Sequence, residues 1–139
     1  MTIASEVAIH IREYNDTFVQ AFHDKDPMLL RPYCHVPSTS FGKGRMFIIN
    51  SMEESDERWR RTHAGMPQDY HHSVQHTVDV LVTDPQTAFV TVDIGRFNND
   101  GKEYHRFWAS YITINTDEGW RITTWIGHGS DQAPEHAIL

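Results

Sequence analysis

The 139-residue chain is short of cysteine, of basic charge and of long apolar runs. Its single cysteine, Cys34, cannot form an internal disulfide, and no charged-then-apolar leader opens the sequence, so we expect a cytoplasmic protein. Lysine and arginine number 12 against 19 acidic residues, a net charge of −7 with no basic patch, which argues against nucleic acid as a partner. No apolar stretch approaches the roughly 18 residues of a membrane span, so no membrane association is predicted.

The remaining composition is that of one globular domain, residues 1–139 with a core of about 5–130. Hydrophobic residues make up 39% and charged residues 22%, with ten histidines as the unusual feature. His72 and His76 would stand about 13 Å apart on one strand, too far to share a metal ion, so no metal site is predicted. The sequence has no phosphate loop, dinucleotide fingerprint or G-x-S-x-G elbow, and no cofactor is expected.

Three helices are predicted in the first half of the chain. Apolar residues spaced by three and four mark a first helix over residues 7–22. Asp26 followed by proline marks a short second helix over 28–31. Ser51 and Glu54 form a capping box that starts a third.

From residue 71 the apolar period changes to two, and turn sequences divide residues 71–128 into four antiparallel strands. The predicted fold is therefore α+β, a cone of three N-terminal helices packed on one face of a curved, mostly antiparallel sheet.

The hairpin register decides which side chains face the helices. Three-residue loops would pair Asn98 with Lys102 and Thr116 with Trp120, which turns the even-numbered residues inward. The polar and aromatic residues expected inside are His72, His76, Arg96, Tyr104, Arg106, Trp108, Ser110 and His128, with Tyr14, Phe18 and Trp59 from the helices. The outer face would carry an aromatic set that predicts a homodimer surface: Phe89, Phe107, Tyr111 and Trp125.

The order of these elements resembles the nuclear-transport-factor-2-like superfamily, also called polyketide-cyclase-like or cystatin-like. The likeness lies in the long first helix, "DKDPMLLRPY", the capped third helix and the terminal "DEGWRITTWIGHGS", over roughly residues 5–130. It implies a cone-shaped, usually dimeric fold with a mostly apolar pocket between sheet and helices. The superfamily holds enzymes and non-catalytic proteins, so the fold does not decide the function.

Two activities of the superfamily fit the sequence poorly. Ketosteroid isomerases resemble this chain in placing a tyrosine where Tyr14 falls, but residues 34–40 offer His35 and no carboxylate, and Ser110 stands at the late-strand acid. Limonene-epoxide hydrolases need an Asp-Arg-Asp set, and the predicted register turns Asp93 outward.

Scytalone dehydratase-like sites combine histidines with tyrosines, which leads to the sharpest enzyme hypothesis. The protein would be a cofactor-independent proton-transfer lyase or isomerase, in which His72, His76 or His128 transfers a proton while Tyr14 or Tyr104 stabilises an oxygen. The other inward residues would contact a small organic ligand, and the arginines among them favour an anionic one such as a carboxylate. The alternative is a non-catalytic ligand-binding or protein-interaction dimer of the same fold.

Overall fold

The computed structural model describes residues 1–129 and 132–139. Two α-helices, α1 (Ile3–Asp24) and α2 (Met52–Ala64), and a 3-10 helix (Pro27–Tyr33) lie in the first half of this described chain. The strands are β1 (Cys34–Gly42), β2 (Arg45–Ile49), β3 (Tyr70–Asp84), β4 (Thr87–Asn98), β5 (Glu103–Thr116) and β6 (Gly119–Gly127). They form a six-stranded sheet in the order β2-β1-β6-β5-β4-β3, antiparallel except between β1 and β6. The predicted α+β class is confirmed.

Both α-helices begin at a side-chain cap. The Thr2 hydroxyl accepts the Ser5 amide at 3.1 Å to start α1. At α2 the Ser51 hydroxyl accepts the Glu54 amide at 3.1 Å, as the capping box predicts. The Glu54 carboxylate reaches back one residue further than expected, to the Asn50 amide at 2.6 Å. None of the helices in the described residues is long and apolar enough to cross a membrane.

The core lies between α1, α2 and one face of the sheet. The buried stripe of α1 is Val7, Ile11, Tyr14, Phe18 and Ala21, at the spacing of three and four that a helical face requires. Two polar contacts fix α1 on β3: the Asn15 amide donates to the Ser73 carbonyl at 3.0 Å, and Gln75 donates to the Ile11 carbonyl at 3.3 Å. These contacts set which part of the sheet α1 covers.

A bulge in the β4–β5 hairpin exchanges the faces of β5. At the tip, the Asn98 amide donates to the Lys102 carbonyl at 2.9 Å, which confirms the predicted pairing. Further along, Phe97 lies opposite Glu103 but Arg96 lies opposite His105, so Tyr104 is an extra residue on β5. Even-numbered residues of β4 therefore share the inner face with odd-numbered residues of β5.

The β5–β6 hairpin departs from the predicted register as well. Thr116 pairs with Gly119 rather than with Trp120, so the turn is one residue shorter than expected. An irregularity between Ile112 and Thr113 then shifts the register, and beyond it Tyr111 lies opposite Trp125. Tyr111 faces the helices because the Tyr104 bulge exchanged the faces of β5, and Trp125 faces them as the partner of Tyr111.

The expected inward placement is wrong for six residues, which lie on the outer face of the sheet: His72, His76, Arg106, Trp108, Ser110 and His128. The expected dimer surface is wrong for three residues, which lie on the inner face: Phe107, Tyr111 and Trp125. Phe89, opposite Ile112, does lie on the outer face. For His72 and His76 the cause is a pair of register shifts on β3, between Tyr70 and His72 and between Gln75 and Thr77. On β5 and β6 it is the bulge and the irregularity described above, because one inserted residue reverses the alternation of the side chains next to it.

Candidate active site: a cavity between helices and sheet

A cavity of about 220 Å³ lies between α1, α2 and the inner face of the sheet. Its lining is mostly aromatic and aliphatic, with two arginines: Tyr14, Asn15, Phe18, Ser40, Phe41, Arg58, Trp59, Thr62, Ser73, Ile94, Arg96, Phe107, Ala109, Tyr111, Trp125, Ile126 and Gly127. Within the described chain, this lining contains no aspartate, glutamate or histidine. The cavity therefore combines positive charge with an apolar wall.

Ring contacts hold the aromatic wall together. The Trp59 ring lies 6.0 Å from Tyr14, 6.0 Å from Phe18 and 5.5 Å from Trp125 between ring centroids. The Tyr14 ring meets Tyr111 edge-on at 5.7 Å. Such tilted and edge-to-face pairs are the favourable arrangements for aromatic side chains, so the rings pack as one continuous surface.

Arg58 is the most unusual residue of the site. Its guanidinium lies 4.2 Å from the Trp59 ring centroid and 4.3 Å from that of Trp125, between the two indoles. Its one hydrogen bond in the described chain is to the Ser40 hydroxyl, at 3.4 Å. Burial lowers the pKa of Arg58 from its ordinary value, yet arginine stays protonated in proteins. A cation with weakly satisfied donors thus lines the cavity.

Arg96 supplies the second positive charge, from β4. Its guanidinium lies 4.8 Å from the centroid of the Phe107 ring. The Nε atom is buried and has no hydrogen-bond partner among the described residues. No carboxylate of the described chain forms an ion pair with Arg58 or Arg96, whereas five other arginines are paired in this way.

Tyr14 contributes a hydroxyl that keeps its proton. The Trp125 indole N–H donates to this hydroxyl at 3.2 Å. Burial raises the pKa of Tyr14 well above its ordinary value, and the nearby Tyr111 raises it further. Tyr14 can therefore donate a hydrogen bond to a ligand at neutral pH but cannot act as a base.

Tyr14, Phe18, Trp59 and Arg96, four of the residues predicted from the sequence, line the cavity. Tyr104 does not; it is the bulged residue, and its buried hydroxyl has no partner in the described chain.

Arg58 is not among the inward residues predicted from the sequence, although it lines the cavity. The signal was present, because Arg58 follows the buried Ser55 by three residues and precedes Thr62 by four. The same spacing puts all three side chains on one side of the helix.

Two of the three predicted histidines, His76 and His128, belong to separate networks on the outer face, and the third, His72, lies against His71 with 2.8 Å between their Nδ1 atoms. His76 Nε2 lies 2.8 Å from Glu103, and Arg106 forms a two-bonded pair with Asp93 at 3.0 and 2.8 Å. His128 Nε2 lies 2.8 Å from the Ser110 hydroxyl, which also contacts Thr91 at 3.1 Å. Within the described chain no three histidine, cysteine or acidic side chains are arranged to hold a metal ion.

Helices packed on a mostly antiparallel sheet, with an aromatic cavity between the two layers, are the arrangement of the NTF2-like class of α+β proteins. Residues 5–130 match the model of one family of this class, described as NTF2-like protein (DUF6841), and the chain belongs to that family. The resemblance stated from the sequence is thereby confirmed. Comparison with curated proteins gives no match.

Solved structures of low sequence identity share the fold. A cystatin-like domain of unknown function from Nostoc punctiforme has a TM-score of 0.66 at 14% identity, covering 93% of this chain and 80% of its own. A proposed dehydratase of the NTF2-like family from Streptomyces avermitilis has a TM-score of 0.63 at 16% identity, covering 90% and 94%. A proposed ketosteroid isomerase from Shewanella frigidimarina has a TM-score of 0.61 at 12% identity, covering 82% and 90%. At these identities the likeness is one of fold alone.

Proposed function

We propose that the protein binds a small organic anion in this cavity, a carboxylate joined to a flat apolar body. One observation carries the proposal: two arginines line the cavity, and the lining holds no acidic residue in the described chain. The planar guanidinium groups of Arg58 and Arg96 match the geometry of a carboxylate.

The electrostatics of the cavity favour an anion. Removing an ion from water costs several kcal/mol unless a counter-charge or full hydrogen bonding replaces the lost hydration. Neither arginine has a carboxylate partner, and Arg96 Nε has no hydrogen-bond partner in the described residues. A ligand carboxylate would supply both the missing negative charge and the missing hydrogen-bond acceptor.

The walls indicate the rest of the ligand. A volume of about 220 Å³ is below the roughly 300–1,000 Å³ of sites for drug-sized molecules, so a smaller compound is expected. Tyr14, Phe18 and Trp59 offer ring surfaces against which a planar group can pack. We infer a small aromatic or unsaturated acid.

A larger hollow, of about 580 Å³, lies between the C-terminal ends of the two α-helices and is lined by Lys25 and Arg60. It is the weaker candidate for an anion site because Arg60 is already held by Glu57, with Nε and Oε2 2.7 Å apart. The cavity with unpaired arginines is preferred for that reason.

Binding without turnover is favoured over the proton-transfer hypothesis. The three histidines proposed as proton carriers lie on the other side of the sheet from the cavity. Tyr14 is the remaining candidate, and its raised pKa makes it a hydrogen-bond donor rather than a base. The lining in the described chain thus pairs no general acid with a general base.

Calorimetric titration with benzoate, cinnamate and their neutral amides tests the proposal. We expect an acid to bind and its amide to bind about tenfold to a hundredfold more weakly, the range for loss of a charged hydrogen bond. Arg96→Gln should weaken acid binding similarly, while Arg60→Gln, an exposed residue of α2, should leave it unchanged. Equal affinity for acids and amides, no binding of either acid, or no effect of Arg96→Gln would refute the proposal.

A further inference from the structure

The β2 strand is an open, apolar edge of the sheet. In the strand order it has β1 on one side and no strand of the described chain on the other. Its three central residues are large, hydrophobic and mostly exposed: Met46 at 55%, Phe47 at 59% and Ile48 at 54%. Side chains alternate between faces along a strand, so both faces of this edge are apolar. Proteins usually shield such an edge with charge, proline or a covering segment.

The turn before β2 determines which backbone groups point away from the sheet. Lys43 and Gly44 have φ values of 53° and 73° and form a two-residue turn closed by the pair Gly42 and Arg45. In such a hairpin the closing pair is hydrogen-bonded, and bonded pairs then recur at every second position. Arg45, Phe47 and Ile49 therefore bond to β1. Met46 and Ile48 direct their N–H and C=O groups to the open edge.

We propose that β2 is a homodimer interface, at which two copies pair antiparallel around a two-fold axis at Phe47. Met46 would exchange backbone hydrogen bonds with Ile48 of the partner subunit, and the two six-stranded sheets would join into one. Phe47 would form the central pair with the same residue of the partner subunit, a close aromatic contact across a non-hydrogen-bonded position. The surface is self-complementary, as a two-fold dimer requires.

The charges at the two ends of the strand favour a second copy as the occupant. Lys43 and Arg45 precede the apolar residues, and Glu53 and Glu54 follow them in the first turn of α2. Neither Lys43 nor Arg45 has an acidic partner in the described chain. Antiparallel pairing brings the basic end of each copy toward the acidic end of the other, whereas parallel pairing would place like charges together.

The opposite edge of the sheet does not offer the same surface. β3 exposes Leu81 at 63%, but the neighbouring Asp79 and Asp84 put negative charge along that strand. Two such edges would repel one another. We therefore assign the interface to β2, and a substitution at Leu81 on β3 serves as the matched control.

The first test is the oligomeric state of the full chain by sedimentation equilibrium. The wild type should dimerise, and Phe47→Lys should raise the dimer dissociation constant about thirtyfold or more, the effect of losing a central aromatic contact. Leu81→Lys, at the other edge, should dimerise like the wild type. Circular dichroism should show unchanged folding in both variants, because both side chains are largely exposed.

The second test locates the two-fold axis by disulfide formation. Strand residues opposite one another at a non-hydrogen-bonded position have Cα atoms about 4.5 Å apart, within the roughly 4.4–6.8 Å range of disulfides. Phe47→Cys should therefore give a cross-linked dimer on mild oxidation. Met46→Cys should not, because each copy of that residue lies two positions along the strand from the other, about 8 Å away. The buried Cys34 is not available to compete.

A wild-type monomer at 100 µM would overturn the proposal. So would a dimer that persists in Phe47→Lys and fails to cross-link in Phe47→Cys, since that result would place the contact on another surface such as the outer sheet face. The inference does not depend on the proposed ligand: Arg96→Gln should leave the dimer intact, and Phe47→Lys should still bind the acid.

Discussion

His10 should make the protein less stable as the pH falls below 6.5. The side chain is 9% exposed, next to Tyr33 at 5.6 Å between ring centroids, and its Nε2 has no partner in the described chain. Burial, and then the charge of Arg121, lower the pKa of His10 from 6.5 to about 4. The folded protein therefore keeps this imidazole neutral over a pH range in which the unfolded chain protonates it.

The sign and size of the effect follow from this difference in proton binding. Between pH 6.5 and 4 the unfolded state binds more protons, so the free energy of unfolding falls as the pH drops, and above pH 6.5 it is unaffected. With a pKa of about 4 in the folded state, His10 alone should lower the free energy of unfolding by roughly 2 kcal/mol between pH 7.5 and pH 5.

Urea unfolding of the wild type and of His10→Leu, followed by tryptophan fluorescence at pH 7.5 and 5.0, measures this contribution. His10→Leu should lose about 2 kcal/mol less than the wild type on acidification, because leucine has no proton to bind. His136→Leu, in the exposed C-terminal segment, should retain the full wild-type dependence. The reasoning fails if His10→Leu and the wild type lose the same free energy between the two pH values.

Two further predictions concern the outer face. Asp93→Asn should lower the free energy of unfolding by about 1 kcal/mol at pH 7, since half-exposed Arg106 is its partner. The hydrogen bonds from Arg106 lower the pKa of Asp93, so this difference should be present above pH 4 and vanish as the carboxyl protonates; equal costs in urea at pH 7 and pH 2 would contradict it. Gly95→Ala places a Cβ against the Glu103 carboxylate and 2.8 Å from His76 Nε2. It should cost about 1–2 kcal/mol, and in a Glu103→Ala background thermal unfolding should show a smaller loss.

The helices and the sheet class were predictable because their signals are local. Spacings of three and four along α1 and the cap at Ser51 each identify an element from neighbouring residues alone. The tip pairing of Asn98 with Lys102 was equally local, because it depends on one short turn.

Which side chains of β5 and β6 face the helices was not predictable, because the local sequence does not identify a bulged residue. Tyr104 fits a strand as well as its neighbours do, yet as an unpaired residue it exchanges the inward and outward sets of β5. Phe107 therefore faces inward and Arg106 outward, the reverse of the prediction. Only the packing of the whole sheet against the helices, not any local preference, selects the register.

The candidate site was predicted in part. Strand irregularities again separate the residues that were placed correctly from most of those that were not. Residues from the helices and from β4 before the bulge, such as Tyr14, Trp59 and Arg96, line the cavity where helical or strand periodicity placed them. Trp125 lies beyond an irregularity and was assigned to the wrong side. Arg58 was missed because a buried arginine contradicts the usual hydrophobic pattern of a helix face.

The position of Arg58 makes tryptophan fluorescence sensitive to changes in the cavity. Two of the four tryptophans, Trp59 and Trp125, flank its guanidinium at 4.2 and 4.3 Å. Any solute that draws this charge out from between the rings would change the electric field that both indoles experience. Emission colour and intensity would then respond to occupancy without a dye or a label.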